Sequence, residues 1–203
     1  KKFLKNFFPK TKDIIDLKNH KIKIEYKENF LSFSGNGQIR IDNEYDKINY
    51  FISKEKDETN FDINVNLNKT DFKIENLNYQ KNQNFITKLN ISGSFLPNER
   101  LIFNNLNIDE KKGKIKFINL ILDKDYLLVK LDKAIFDYVD TEDKANQFAI
   151  RREEKNNYKL NGLFFNANTI VINLLEKKRK EYKLLKNNVR IILNLNEVYL
   201  DEI

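Results

Sequence analysis

The chain has a single histidine, His20. One imidazole needs a nucleophile and an orienting acid beside it to act as a general base, and cysteines or clustered acids beside it to hold zinc. There is no cysteine, which removes thiol chemistry, disulfides and cysteine-held zinc or iron–sulfur centres together. His20 stands at the mouth of a strand pattern and reads as a surface residue. The acidic groups form no better constellation. Asp42 with Glu44, and Asp123 with Asp125, flank turns, but calcium loops need denser oxygen ligands and usually a glycine at the bend. Asp140, Glu142 and Asp143 read as a solvated acidic loop. A carboxylate pair for glycoside hydrolysis is a spatial feature, and nothing in the sequence points to one.

Ser34-Gly35-Asn36-Gly37 has the composition of a phosphate loop. Such loops lead from a strand into a helix whose amides meet the phosphate, whereas here Gln38-Ile39-Arg40-Ile41 resumes a strand. The glycines are better explained as places where the strand bends or passes close to a neighbour. Asn68-Lys69-Thr70 and Asn90-Ile91-Ser92 match a glycosylation sequon that an Asn-rich chain produces by chance. No catalytic residue, cofactor site or metal ligand is therefore assigned, and the expectation is a protein that is not an enzyme.

The elements that would have to position any site are strands. Residues 61 to 68 read Phe-Asp-Ile-Asn-Val-Asn-Leu-Asn, alternating apolar with polar, so one face is greasy and the other wet. Ile22, Ile24 and Tyr26 alternate likewise, as do Leu31 and Phe33, Ile39 and Ile41, Ile48, Tyr50 and Ile52, and Leu89 and Ile91. Residues 113–122 and 126–139 are more continuously apolar, as strands covered on both faces would be. Polar turns recur about every ten residues, the spacing of antiparallel meanders. Only 5 Gly and 2 Pro are present, so the turns must use Asn, Asp and Lys. Much of the Asn content reads as codon bias.

One helix is expected near 168–178, with Asn168 or Thr169 as its cap and an extension to Leu185 compatible with the pattern. Residues 1–19 form an irregular or helical lead-in, with one turn at Asp13–Leu17, and residues 20–203 form one repetitive β domain. Ile74–Tyr79 aligns with Phe103–Ile108 at an offset of 29, as two copies of a bulged strand unit would. The fold class is mainly β: a curled antiparallel meander, as an open trough or a sandwich-like closure, with one short helix.

The 203 residues carry 37 Lys and Arg against 30 acids, a modest excess of +7 without the aromatic platforms of nucleic-acid binders, so no nucleic-acid partner is expected. Lys177-Lys178-Arg179-Lys180, with Lys183 and Lys186, reads as a solvated helix end. No run approaches the roughly 20 apolar residues of a membrane span. There is no Met, and residue 1 is Lys, so the chain reads as an internal segment whose anchor lies elsewhere.

Phe33-Ser34-Gly35-Asn36-Gly37-Gln38-Ile39-Arg40-Ile41 resembles the Gly-x-Gly-then-strand phrase of AsmA-like bacterial envelope proteins, in particular the YhdP-type, and Ile91-Ser92-Gly93-Ser94-Phe95 echoes it. Tyr158 to Ala167, leading into the helix at Thr169, is similar to that family's strand, Gly, Asp/Asn, short-helix phrase, although Asp is commoner at the position of Asn166. The likeness covers roughly residues 20–175. It implies a periplasmic protein held at the inner membrane, with a β-groove that shields phospholipid acyl chains in transit between membranes. Lipid-groove candidates are Leu31, Phe33, Ile39, Ile41, Phe61, Ile63, Val65, Leu67, Leu89 and Ile91. On that reading Val65→Asp and Ile91→Asp damage lipid passage more than folding. The alternative is a closed sandwich or barrel serving as an interaction module of a larger surface protein.

Overall fold

The computed structural model describes residues 7–11, 15–82, 85–97, 99–111, 113–154, 156–175 (backbone alone for 173–175) and 188–200. The chain runs through β1 (Asp16–Lys27), β2 (Phe30–Arg40), β3 (Tyr45–Glu55) and β4 (Glu58–Leu67). An excursion follows, with two-residue strands β5 (Lys73–Ile74) and β6 (Tyr79–Gln80) flanking a 3-10 turn at Glu75–Leu77. Then come β7 (Thr87–Leu96), β8 (Arg100–Glu110), β9 (Gly113–Asp123), β10 (Leu128–Val139), β11 (Ala145–Glu154) and β12 (Asn157–Asn166). Helix α1 (Asn168–Leu175) leads to β13 (Arg190–Tyr199).

Eleven of these strands form one sheet, in the order β1-β2-β3-β4-β7-β8-β9-β10-β11-β12-β13. Every pair is antiparallel except β12 with β13, which are parallel and joined through α1, as a parallel pair requires a crossover. The sheet is open, with β1 and β13 at opposite edges, so the closed sandwich or barrel is not what these strands build. Strand β1 starts at Asp16, inside the stretch expected as lead-in, while Asp13 and Ile14 of the expected turn lie outside the described residues. Residues 176–178 of the expected helix, its extension to Leu185 and the basic run at 177–186 also lie outside them.

The turns are built without glycine. Left-handed backbone falls on Asn19, Asn29, Lys56, Asn78, Asn119, Tyr126 and Asp143, and on no described glycine. Asp123 and Asp140 make the same turn after β9 and β10. Each carboxylate oxygen Oδ1 accepts the backbone N–H two and four residues on, at 2.9 and 3.0 Å, and the residue three positions on is left-handed. The side chain does locally what a glycine turn would do by conformational freedom.

Glycine serves close approach. A Cβ at Gly35 would lie 2.5 Å from the Tyr50 ring, and one at Gly162 would meet Phe148 and the Gln147 carbonyl. The continuously apolar strands β9 and β10 are covered on one face only. Ile115, Phe136 and Ala134 point into the core, while Ile118, Ile121 and Ile135 on the other face are half-buried, with no helix or second sheet packed over them among the described residues.

The proposed repeat does not survive as structure. Ile74–Tyr79 is the excursion, whereas Phe103–Ile108 lies inside β8. A bulge does account for the parity shift in β8: Gly93 pairs with Phe103 and Ser92 with Asn105, leaving Asn104 extra.

Candidate functional site

Because direct partners in a sheet share a face, register turns scattered apolar residues into rows. Ile22, Gly35, Tyr50, Ile63, Ile91, Leu106, Phe117, Ala134, Ile150, Leu160 and Leu193 are successive partners, one from each strand from β1 to β13. No polar side chain interrupts the row except the Tyr50 hydroxyl. Ten interstrand steps make it about 48 Å long, at about 4.8 Å each.

Burial is graded across this face. Toward one end of the strands, Ile48, Val65, Leu89, Ile108, Ile115, Phe136 and Phe148 form the parallel row, each 7% exposed or less. In the eleven-strand row, Tyr50, Ile63, Ile91, Leu106 and Phe117 are only half-buried, and Ile22 and Leu193 at the two ends are 52% and 57% exposed. The next row, Ile24, Phe33, Ile52, Phe61, Gly93, Phe103, Leu120 and Leu131, runs from β1 to β10. The face is thus packed at one end and accessible along its middle from β3 to β9, while Ala134 on β10 and Leu160 on β12 are buried.

The packed end is made by the excursion between β4 and β7, which crosses the end of the face. Phe72 and Tyr79 anchor it, in an aromatic chain from Phe8 through Phe72 and Tyr79 to Tyr138 of β10, with centroid separations of 5.2, 6.2 and 5.5 Å. The Tyr138 hydroxyl donates to the Leu77 carbonyl at 2.7 Å, and the Thr141 N–H donates to the Asn78 carbonyl at 3.0 Å. Beneath lies Lys81, 1% exposed, whose ammonium donates to the carbonyls of Asn68 at 2.7 Å and Asn82 at 3.3 Å. Burial lowers its pKa against the opposing pull of Glu110, Asp46 and Asp71. Burial raises the Tyr79 phenol strongly, helped by the Glu110 charge, and raises Tyr138 as well.

A polar network ties β10–β11, β12 and α1 together beside it. Asp140 Oδ2 accepts from Asn146 Nδ2 at 3.0 Å and from Asn166 Nδ2 at 2.8 Å. Asn166 also donates to Glu142 at 2.9 Å, and its Oδ1 accepts the Asn168 N–H at 3.1 Å. Asn166 thus accepts from the first residue of α1, and the Val171 N–H closes the first turn of the helix onto the Ala167 carbonyl at 2.9 Å. Asp140 is not the solvated residue expected of an acidic loop: it is 5% exposed because four donors converge on it. Glu142 and Asp143 are exposed as expected.

Of the ten candidates from sequence, Leu31, Phe33, Ile39, Phe61, Ile63, Val65, Leu67, Leu89 and Ile91 stand on this one face, and Ile41, just past β2, joins the same core. Val65, Leu67, Leu89 and Ile41 are buried, whereas Leu31, Phe33, Ile39, Phe61, Ile63 and Ile91 are half-buried. His20 is not a plain surface residue. The irregularity between Lys18 and Lys21 turns its ring over Gly37 and against Tyr50, at 5.7 Å, with neither ring nitrogen hydrogen-bonded among the described residues.

The polar face carries a row that sequence reading discounted. Lys21, Asn36, Asn49, Asn64, Asn90, Asn107 and Lys116 are successive partners across seven strands. An open depression of about 460 Å³ lies over its first part, lined by Asn36, Asn49, Asn64, Asp62 and the exposed Phe51.

Among the described residues, no three His, Asp or Glu stand close enough to hold a metal ion, and no helix is long and apolar enough to cross a membrane. No protein-family model, curated protein or solved structure matches the chain.

Proposed function

We propose that this chain is a non-enzymatic lipid-binding segment that shelters phospholipid acyl chains on its apolar face, as part of a phospholipid-transporting protein of the bacterial cell envelope. The observation that carries the reading is the eleven-strand apolar row, continuous in register and half-buried along its middle. A hydrocarbon chain laid on it moves to its neighbour without crossing a polar residue. Each methylene it shields contributes about 0.8 kcal/mol. At about 48 Å, the row is longer than the roughly 30 Å hydrocarbon core of a bilayer. The resemblance of residues 33–41 and 158–167 to AsmA-like proteins supports the same reading, on which the chain works in the periplasm as part of a protein held at the inner membrane.

No chemical step is required of the protein on this reading. The excursion and α1 stop one end of the face, so headgroups face water along the open side while the acyl chains lie against Ile63, Ile91 and Leu106.

The test is native mass spectrometry and solvent extraction of the folded chain purified without detergent from a bacterial host. Co-purifying phospholipid, reduced in Ile91→Asp, is the expected result. A folded, lipid-free wild type counts against the reading and makes the face a docking surface for another protein.

A further inference from the structure

The second face of the sheet is not uniformly polar, and its unusual part lies on β9 to β13. Lys133, Arg151 and Lys159 are direct partners on β10, β11 and β12. Like charges directly opposite one another on a sheet destabilise it. None of the three makes an ion pair among the described residues, although Lys130 and Arg152 close by are matched to Asp132. Glu153, two residues along from Arg151, is exposed and forms no ion pair with the row either. The sheet thus sets three cationic residues side by side, with neighbouring Cβ atoms about 5 Å apart, and their counter-charge is missing among the described residues.

The same row continues into Ile118 on β9 and Ile192 on β13, and Ile135 lies in the adjoining row. Ile192 is 45% exposed, and Ile118 and Ile135 are half-buried with nothing packed over them among the described residues. Cations set beside one exposed and two half-buried isoleucines, with no aromatic ring in the row between β9 and β13, lack the stacking platforms that single-stranded nucleic acid uses. No other element packs over the patch among the described residues, so it offers its cations to several anions on a surface more readily than to one small ion. A basic face carrying aliphatic side chains is the pattern that lies on an anionic bilayer, with the cations at the phosphates and the aliphatic groups at the headgroup boundary.

We infer that the β9–β13 half of the polar face docks on an anionic phospholipid surface through Lys133, Arg151 and Lys159. This is independent of lipid held on the apolar face, because the two surfaces are opposite sides of one sheet. It orients the molecule with one face on a membrane and the acyl-binding face turned away.

The experiment is co-sedimentation of the full chain with vesicles of phosphatidylcholine alone and with 30% phosphatidylglycerol (about 0.1 M salt in both), for three proteins. These are the wild type, the triple variant K133Q/R151Q/K159Q, and a charge-matched control, K47Q/K54Q/K124Q, drawn from exposed lysines elsewhere. Each cation near an anionic surface strengthens binding roughly fivefold, so the row variant should lose about 100-fold in partitioning to the anionic vesicles, with far less loss in the control. Removing the opposed charges should also leave the melting temperature equal or higher, which separates lost docking from lost folding. The row variant keeps Lys177 to Lys180, so its loss is not attributable to that cluster. Equal losses in both triples would assign binding to net charge and overturn the inference. So would a wild type that ignores anionic vesicles, or one released from them by millimolar inorganic phosphate at constant ionic strength. A preference for a single-stranded oligonucleotide over vesicles would overturn it too.

Discussion

Gly35 on β2 lies directly opposite Tyr50 on β3, and the Tyr50 ring occupies the space where a side chain at position 35 would begin. The apolar row is continuous at this point because one partner is large and the other has no side chain. Gly35→Ala should therefore destabilise the fold by about 1–3 kcal/mol, the usual consequence of overpacking. In a Tyr50→Leu background most of that loss should disappear. Urea denaturation of the two single variants and the double variant reads the coupling directly.

The graded burial of the apolar face separates two classes of substitution. Val65 is 5% exposed, so Val65→Asp should cost about 3–5 kcal/mol, as an unpaired buried charge does. It is therefore a folding variant, not the transport probe that alternation suggested. Ile63 and Ile91 are half-buried, and Asp at either should cost only roughly 1–2 kcal/mol. Thermal melts should show Ile63→Asp and Ile91→Asp folded under conditions where Val65→Asp is not.

Asn166 donates to both Asp140 and Glu142. An aspartate at 166, which the AsmA-like phrase favours, would bring a third carboxylate into that site. Asn166→Asp should destabilise the chain at neutral pH, and lowering the pH should restore part of the loss as the carboxylates come to share protons. A stability profile of the variant against wild type, from pH 7 to pH 5, checks the sign.

Tyr79 is 4% exposed and its hydroxyl has no hydrogen-bond partner among the described residues. Burial raises its folded-state pKa far above the ordinary 10.0, so above pH 10 the unfolded chain releases a proton that the folded chain keeps. The folded state then binds more protons, and stability falls as pH rises. Tyr79→Phe should leave stability at pH 7 nearly unchanged and make the alkaline decline shallower. Denaturation midpoints at pH 7, 10 and 11 for both proteins decide it.

The sequence showed the alternating strands and the face their apolar side chains take, because alternation is local, whereas the continuously apolar β9 and β10 read as covered on both faces and are covered on one. Phe61 to Leu67 sits within β4, facing as its parity requires. Turns made from Asn, Asp and Lys were also legible from the shortage of glycine. Pairing was not legible. That Ile63 meets Ile91, or that Asn36, Asn49, Asn64, Asn90 and Asn107 form one row, depends on register across separate strands. The excursion at 68–86 escaped notice because Phe72, Tyr79 and Lys81 have no periodicity, and their burial comes from Tyr138 and Glu110, far along the chain. Asp140 and Asn166 lie 26 residues apart, so no local pattern announces their contact.

The most direct test of the account is photocrosslinking in bacterial cells, with a photoreactive amino acid placed in turn along adjacent strands. Positions 63, 91 and 106 face the apolar row, and positions 64, 90 and 107 face away. The account predicts phospholipid adducts at the first three and few or none at the second three, a period-two pattern repeated on three strands. Adducts equally frequent on both faces, or a folded protein with none at 63, 91 and 106, would contradict it.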